Sequence, residues 1–161
     1  MSTRANVILK ESYSYRAKNG KTVNRSTELI FYRHSDGYPE GVLPSITILT
    51  GWISAGKISR DLSQSAGWLI IIGAIEYGNI PGYKYDEEDP SYPDLNTITP
   101  PKNWKSGSYE ITTQIHGDIE YLYTVFLNDL TIKIEHVSYP DGVQTFEEIT
   151  TYQTDHKKQI Q

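Results

Sequence analysis

The chain contains no cysteine, which excludes disulfide bridges and thiolate metal sites. Long apolar runs are missing too. The longest, residues 68–75, includes Gly73 and falls well short of the roughly 20 residues a membrane-spanning helix needs. The first residues lack the charged-then-apolar pattern of a secretory leader, so a soluble, cytoplasmic protein without a membrane partner is expected. Basic charge is in the minority: 15 Lys and Arg face 20 Asp and Glu, a net charge of −5. That argues against general nucleic-acid binding, which calls for a basic stripe. The acidity is also too sparse for an extended mimic of DNA. Phe and Trp are scarce, 3 of each, whereas Tyr numbers 13. A tyrosine packs with its ring and hydrogen-bonds with its hydroxyl, which suits strands with one wet face and surfaces that grip ligands.

The 161 residues fit one domain, 1–161, with enough chain to bury a core. Residues 6–16 alternate as a strand, Asn19-Gly20 is a hairpin turn, and residues 25–34 form the returning strand. Helical spacing over residues 42–57, with Pro44 in the first turn and Gly56 as a stop, predicts a helix. A second helix is expected over 60–77 with Ser59 as its N-cap, although residues 68–72 also fit a strand. It is apolar nearly all round, which predicts deep burial or packing against a second copy, hence a homo-oligomer. Residues 78–106 carry five prolines and the acidic run Asp86-Glu87-Glu88-Asp89 and are expected to form a flexible, solvated loop. Within it, Pro100 to Trp104 is expected to pack back through the indole. Strands follow at 108–116, 119–127 and 130–135. Tyr139-Pro140-Asp141-Gly142 turns the chain, residues 146–152 add a short edge strand or helix, and the tail 155–161 frays. The order ββ-αα-βββ predicts an α+β fold: an antiparallel sheet of about five strands with two helices packed on one face.

Chemistry concentrates in Arg33-His34-Ser35-Asp36-Gly37-Tyr38-Pro39-Glu40-Gly41, between a strand end and a helix start. Arg33, His34, Asp36 and Tyr38 are candidate ligand-binding residues. Arg33 suits bidentate pairing with phosphate or carboxylate, and backbone N–H groups at a helix start can receive an anion. The structural alternative is a double turn, with Gly37 supplying positive φ and Asp36 capping. The spacing is not that of a phosphate-cradling loop. Two His-x-Asp triplets, His34-Ser35-Asp36 and His116-Gly117-Asp118, with Glu120 nearby, form a weaker constellation. If their strand ends meet, His34, Asp36, His116 and Asp118 have the ligand types for a divalent metal. No nucleophile elbow is present, no catalytic residue is assigned, and no cofactor is expected.

Residues 32–41 resemble a motif of small uncharacterised bacteriophage and prophage proteins, in which an aromatic strand leads into Arg-His-x-Asp-Gly-Tyr-Pro. The resemblance is confined to these ten residues and, loosely, the helix after them. It implies an origin in a mobile element and an accessory role in the host cytoplasm, such as antagonising antiviral defence. The expected partner is a small anionic, nucleotide-like signal or a host defence protein. A metal-assisted phosphodiesterase or nuclease and a structural phage component are the rival expectations.

Overall fold

In a computed structural model, residues 2–76, 78, 82–99 and 109–154 are described. The organising element is strand β1 (Ala5–Arg16), whose first five residues are buried in succession. A strand buried on both faces belongs in the interior of a sheet. β1 pairs antiparallel with β2 (Thr22–Arg33) on one side and parallel with β6 (Tyr121–Phe126) on the other. Three further strands are short or peripheral: β5 (Glu110–Thr112) adds to the outer edge of β2, and β7 (Thr131–Ser138) and β8 (Thr145–Gln153) extend the sheet beyond β6. The order is β5-β2-β1-β6-β7-β8.

The α+β class is as expected, but the sheet is mixed rather than antiparallel and has six strands. The reason lies in connectivity. β6 follows a long excursion through both helices, and a crossover of that length permits the parallel pairing that a short hairpin forbids. The strand expected over 108–116 shrinks to the three residues of β5, because Asn6 Oδ1 accepts from the His116 backbone N–H (2.8 Å) and draws the chain off the edge. Residues 145–153 form an edge strand, the first of the two forms expected there.

The helices are α1 (Pro39–Ser54) and α2 (Leu62–Glu76). α1 ends where Gly56 takes φ 71°, with the Lys57 N–H returning to the Trp52 carbonyl. The cap of α2 is Asp61 rather than Ser59. Its Oδ1 accepts from the Gln64 N–H (2.9 Å), while the Ser59 hydroxyl donates to Oδ2. These bonds, that of Ser59 first, hold the Asp61 carboxyl below its usual range. Val42, Ile46, Leu49 and Ile53 of α1 and Leu62, Ala66, Leu69 and Ile72 of α2 pack on the odd-numbered residues of β1 and β6. The opposite sheet face carries a smaller cluster of Ile8, Tyr32, Ile119, Leu122 and Val137.

Within the segment expected to be a loop, β3 (Gly82–Tyr85) and β4 (Pro93–Thr99) pair as a second, two-stranded sheet. The acidic run forms its turn, with Asp86 Oδ1 accepting from the Glu88 N–H and Asp89 Oδ1 from the Ser91 N–H. Residues 100–104 and 155–161 lie outside the described residues.

Candidate functional site

The turn after β2 is held from four directions. Arg33 is 1% exposed, and its guanidinium is spent internally. Nε donates to the Ser35 carbonyl (3.0 Å), Nη2 to the Gly41 carbonyl (2.9 Å), and both terminal nitrogens to the Glu76 carboxylate at 3.0 and 3.3 Å. The same guanidinium lies 5.2 Å over the Tyr109 ring, whose hydroxyl bonds to Ser45. Burial pushes the Tyr109 phenol up. The Gly37 N–H donates to the Thr3 carbonyl (2.9 Å), and its carbonyl accepts from the buried Tyr123 hydroxyl (2.7 Å).

The glycine's role differs from the one expected. Asp36, not Gly37, takes positive φ (55°). Gly37 is required by proximity, since a Cβ there would lie 2.8 Å from the Arg4 backbone carbon. The half-exposed Tyr38 hydroxyl donates to Asp36 Oδ1 at 3.3 Å, and the charge of Asp36 raises the Tyr38 phenol. Arg33, Asp36 and Tyr38 thus organise the turn.

His34 departs from this group. Its Nδ1 lies 3.3 Å from the Tyr32 hydroxyl, and the two rings meet edge to face. The other face of the interaction is His116, stacked on Tyr32 with centroids 4.0 Å apart and planes 16° from parallel. Nε2 of His116 is 3.1 Å from the Thr112 hydroxyl. Asp118 Oδ1 stands 4.0 Å from His116 Nδ1, and its Oδ2 accepts from Arg4 Nη1 at 2.8 Å. Asn6, fully buried, donates to the Phe31 carbonyl (3.0 Å) and so ties β2 to the His116 loop. Burial first, and then the Asp118 charge, push the Tyr32 phenol up.

The two His-x-Asp triplets therefore do meet, but through their imidazoles around one tyrosine. Asp36 turns to Tyr38 and Asp118 to Arg4. Among the described residues no three His, Asp or Glu side chains converge as a metal site, so His34, Asp36, His116 and Asp118 do not form the ligand set their spacing suggested. Sequence reasoning missed Arg4, Asn6, Tyr32 and Thr112. Only Asn6 leaves a signal there, as a lone polar residue inside the run Ala5-Asn6-Val7-Ile8-Leu9.

The resulting site presents the His34 and His116 imidazoles on either side of the buried Tyr32 ring, with the Arg4 guanidinium close by on Asp118. No protein-family model matches the chain, and no curated protein or solved structure matches it. Among the described residues no helix is long and apolar enough to cross a membrane.

Proposed function

We propose that this is a non-enzymatic binding protein that holds a small anionic, nucleotide-like ligand at the His34–Tyr32–His116 surface. The observation that carries the reading is the 4.0 Å stack of His116 on Tyr32, with His34 on the tyrosine hydroxyl. A planar base can extend such a stack, while imidazole and guanidinium nitrogens donate to phosphate oxygens. In this reading Arg33 braces the turn that presents His34, and Asp36 and Tyr38 shape its rim. The resemblance of residues 32–41 to phage proteins supports a counter-defence setting, in which the protein sequesters a nucleotide signal. A host defence protein is the other partner this setting admits.

The test is mass spectrometry of small molecules released on denaturing protein purified from defence-active cells. An anionic nucleotide released from the wild type, and absent from the His34→Ala and His116→Ala proteins, is the expected result. A co-purifying protein without a nucleotide would replace sequestration with direct inhibition. A cleaved nucleotide product would replace it with catalysis.

A further inference from the structure

The β1–β2 hairpin outruns the sheet. β6 pairs with β1 only at residues 5–10, and β5 pairs with β2 only at 30–32. Asn128 straps the root of the projection, accepting from the Ser12 N–H (2.8 Å) and donating to the Ser12 carbonyl (2.6 Å). Beyond that strap, residues 13–25 form a two-stranded ribbon in register Tyr13↔Arg25, Ser14↔Asn24 and Tyr15↔Val23.

The ribbon's composition departs from that of the chain. Residues 13–25 hold Arg16, Lys18, Lys21 and Arg25 and no carboxylate, in a chain whose net charge is −5. All four are exposed, and among the described residues none is paired with an acid. Tyr13 and Tyr15, 48% and 47% exposed, stack on the same face with centroids 6.4 Å apart. Alongside runs a cleft of about 770 Å³ lined by Ser12, Ser14, Asn24, Arg25 and Ser26, with no carboxylate in its wall. Arg25, paired with Tyr13, lies next to the strap, whereas at about 3.4 Å per residue Arg16, Lys18 and Lys21 stand roughly 15 Å beyond it. That exceeds the Debye length of about 8 Å at physiological salt, so the anionic remainder of the molecule is largely screened from them.

We propose that this ribbon is a docking arm for single-stranded nucleic acid. Cations that follow a backbone and exposed aromatic faces on which bases stack are the two elements of sequence-tolerant strand binding. Hydroxyls and amides along the cleft supply further donors to phosphate oxygens. The low isoelectric point describes the chain as a whole and not this arm. The arm is separate from the His34–Tyr32–His116 surface, so either can fail without the other.

Fluorescence anisotropy of the full chain with a labelled 20-nucleotide single strand tests the proposal. With four phosphates neutralised, log K should fall with log[NaCl] at a slope near ~−2.8, or about 50-fold between 50 and 200 mM salt. The combined variant Arg16→Ser, Lys18→Ser, Lys21→Ser, Arg25→Ser should lose binding and its salt dependence. Tyr13→Ser with Tyr15→Ser should weaken it at least ~tenfold. Lys57→Ser, exposed but off the arm, should bind as the wild type. All are surface changes, and circular dichroism checks that the fold persists. No binding at 50 mM salt would overturn the proposal, as would unchanged affinity of the four-site variant or preference for a duplex of equal length. Capture of poly-glutamate but not of the oligonucleotide would reassign the arm to an acidic protein surface.

Discussion

The carboxylate of Glu76, in the last turn of α2, closes on both terminal nitrogens of Arg33, at 3.0 and 3.3 Å, across 43 residues of sequence. The pair joins the end of β2 to the end of α2, and the further bond to the Gly41 carbonyl adds the start of α1. The arginine is buried, whereas the Glu76 side chain is 32% exposed. Removing Arg33 therefore strands three acceptors, while Glu76→Gln keeps an amide oxygen at the partly exposed end of the pair to accept from the buried guanidinium. Arg33→Ala should cost about 3–5 kcal/mol of stability, and Glu76→Gln only about 1–2 kcal/mol. Urea denaturation of both variants measures this. An Arg33→Ala protein as stable as the wild type would return the guanidinium to a ligand-binding role.

Substitutions in the neighbouring turn should separate conformational need from steric need. Asp36 already adopts φ 55°, so Asp36→Gly relieves backbone strain and should change stability by under ~1 kcal/mol, the lost Tyr38 contact included. Gly37→Ala forces a Cβ against the backbone of Arg4 and Ala5, atoms that cannot rotate away. It should cost about 1–3 kcal/mol or more. Thermal melts of the two proteins check the order, and the reverse order would refute it.

What the sequence disclosed follows from the range of the interactions. Local periodicity marked both helices and the long strands, and Asn19-Gly20 and Gly56 marked their turns; Gly20 and Gly56 do take positive φ (83° and 71°). Strand order was not legible, because the parallel pairing of Ala5 with Tyr121 depends on packing across the whole chain. The one local hint was the continuous burial-prone run from Ala5 to Leu9, which marks an interior strand. The site was half legible for the same reason. His34 and His116 were visible as residue types, but their common partner Tyr32 read as an ordinary strand tyrosine. Arg33 looked available because Glu76 is remote in sequence.

Alkali should unfold the protein through its buried phenols. Burial is the largest cause of the raised phenols of Tyr123 and Tyr109. In the unfolded chain a tyrosine ionises near about pH 10. The stabilisation from keeping these phenols protonated is therefore complete below pH ~10. It falls as pH rises, because the unfolded state releases its protons first. Above pH ~10 each such tyrosine should remove up to about 1.4 kcal/mol per pH unit. Tyr123→Phe should be less stable at pH 8 by about 1–3 kcal/mol, since the Gly37 carbonyl loses its donor, yet decline less steeply above pH 10. Denaturant titrations at pH 8, 10 and 11 give both slopes, and parallel curves would contradict the assignment.

Self-association should run through the outer surface of the helix layer. Ile48 of α1 and Trp68, Ile71 and Ile75 of α2 are 36–55% exposed, and Trp52 meets Trp68 edge to face at 5.9 Å. α2 carries no charge before Glu76, and α1 carries only Glu40, in its first turn. An uncharged apolar face brings no like-charge repulsion when two copies meet, and a twofold dimer is the commonest closed arrangement of such a face. Burying these side chains would stabilise such a dimer by roughly 25 cal/mol per Å² of apolar surface removed from water. Sedimentation velocity should therefore show a dimer at micromolar concentration that persists at high salt. Ile71→Glu should yield a monomer with an unchanged circular dichroism spectrum, because the substituted side chain faces outward. The four-site substitution on the β1–β2 arm should leave the dimer intact. A wild type that stays monomeric at high micromolar concentration would remove the helix face from consideration as a self-interface.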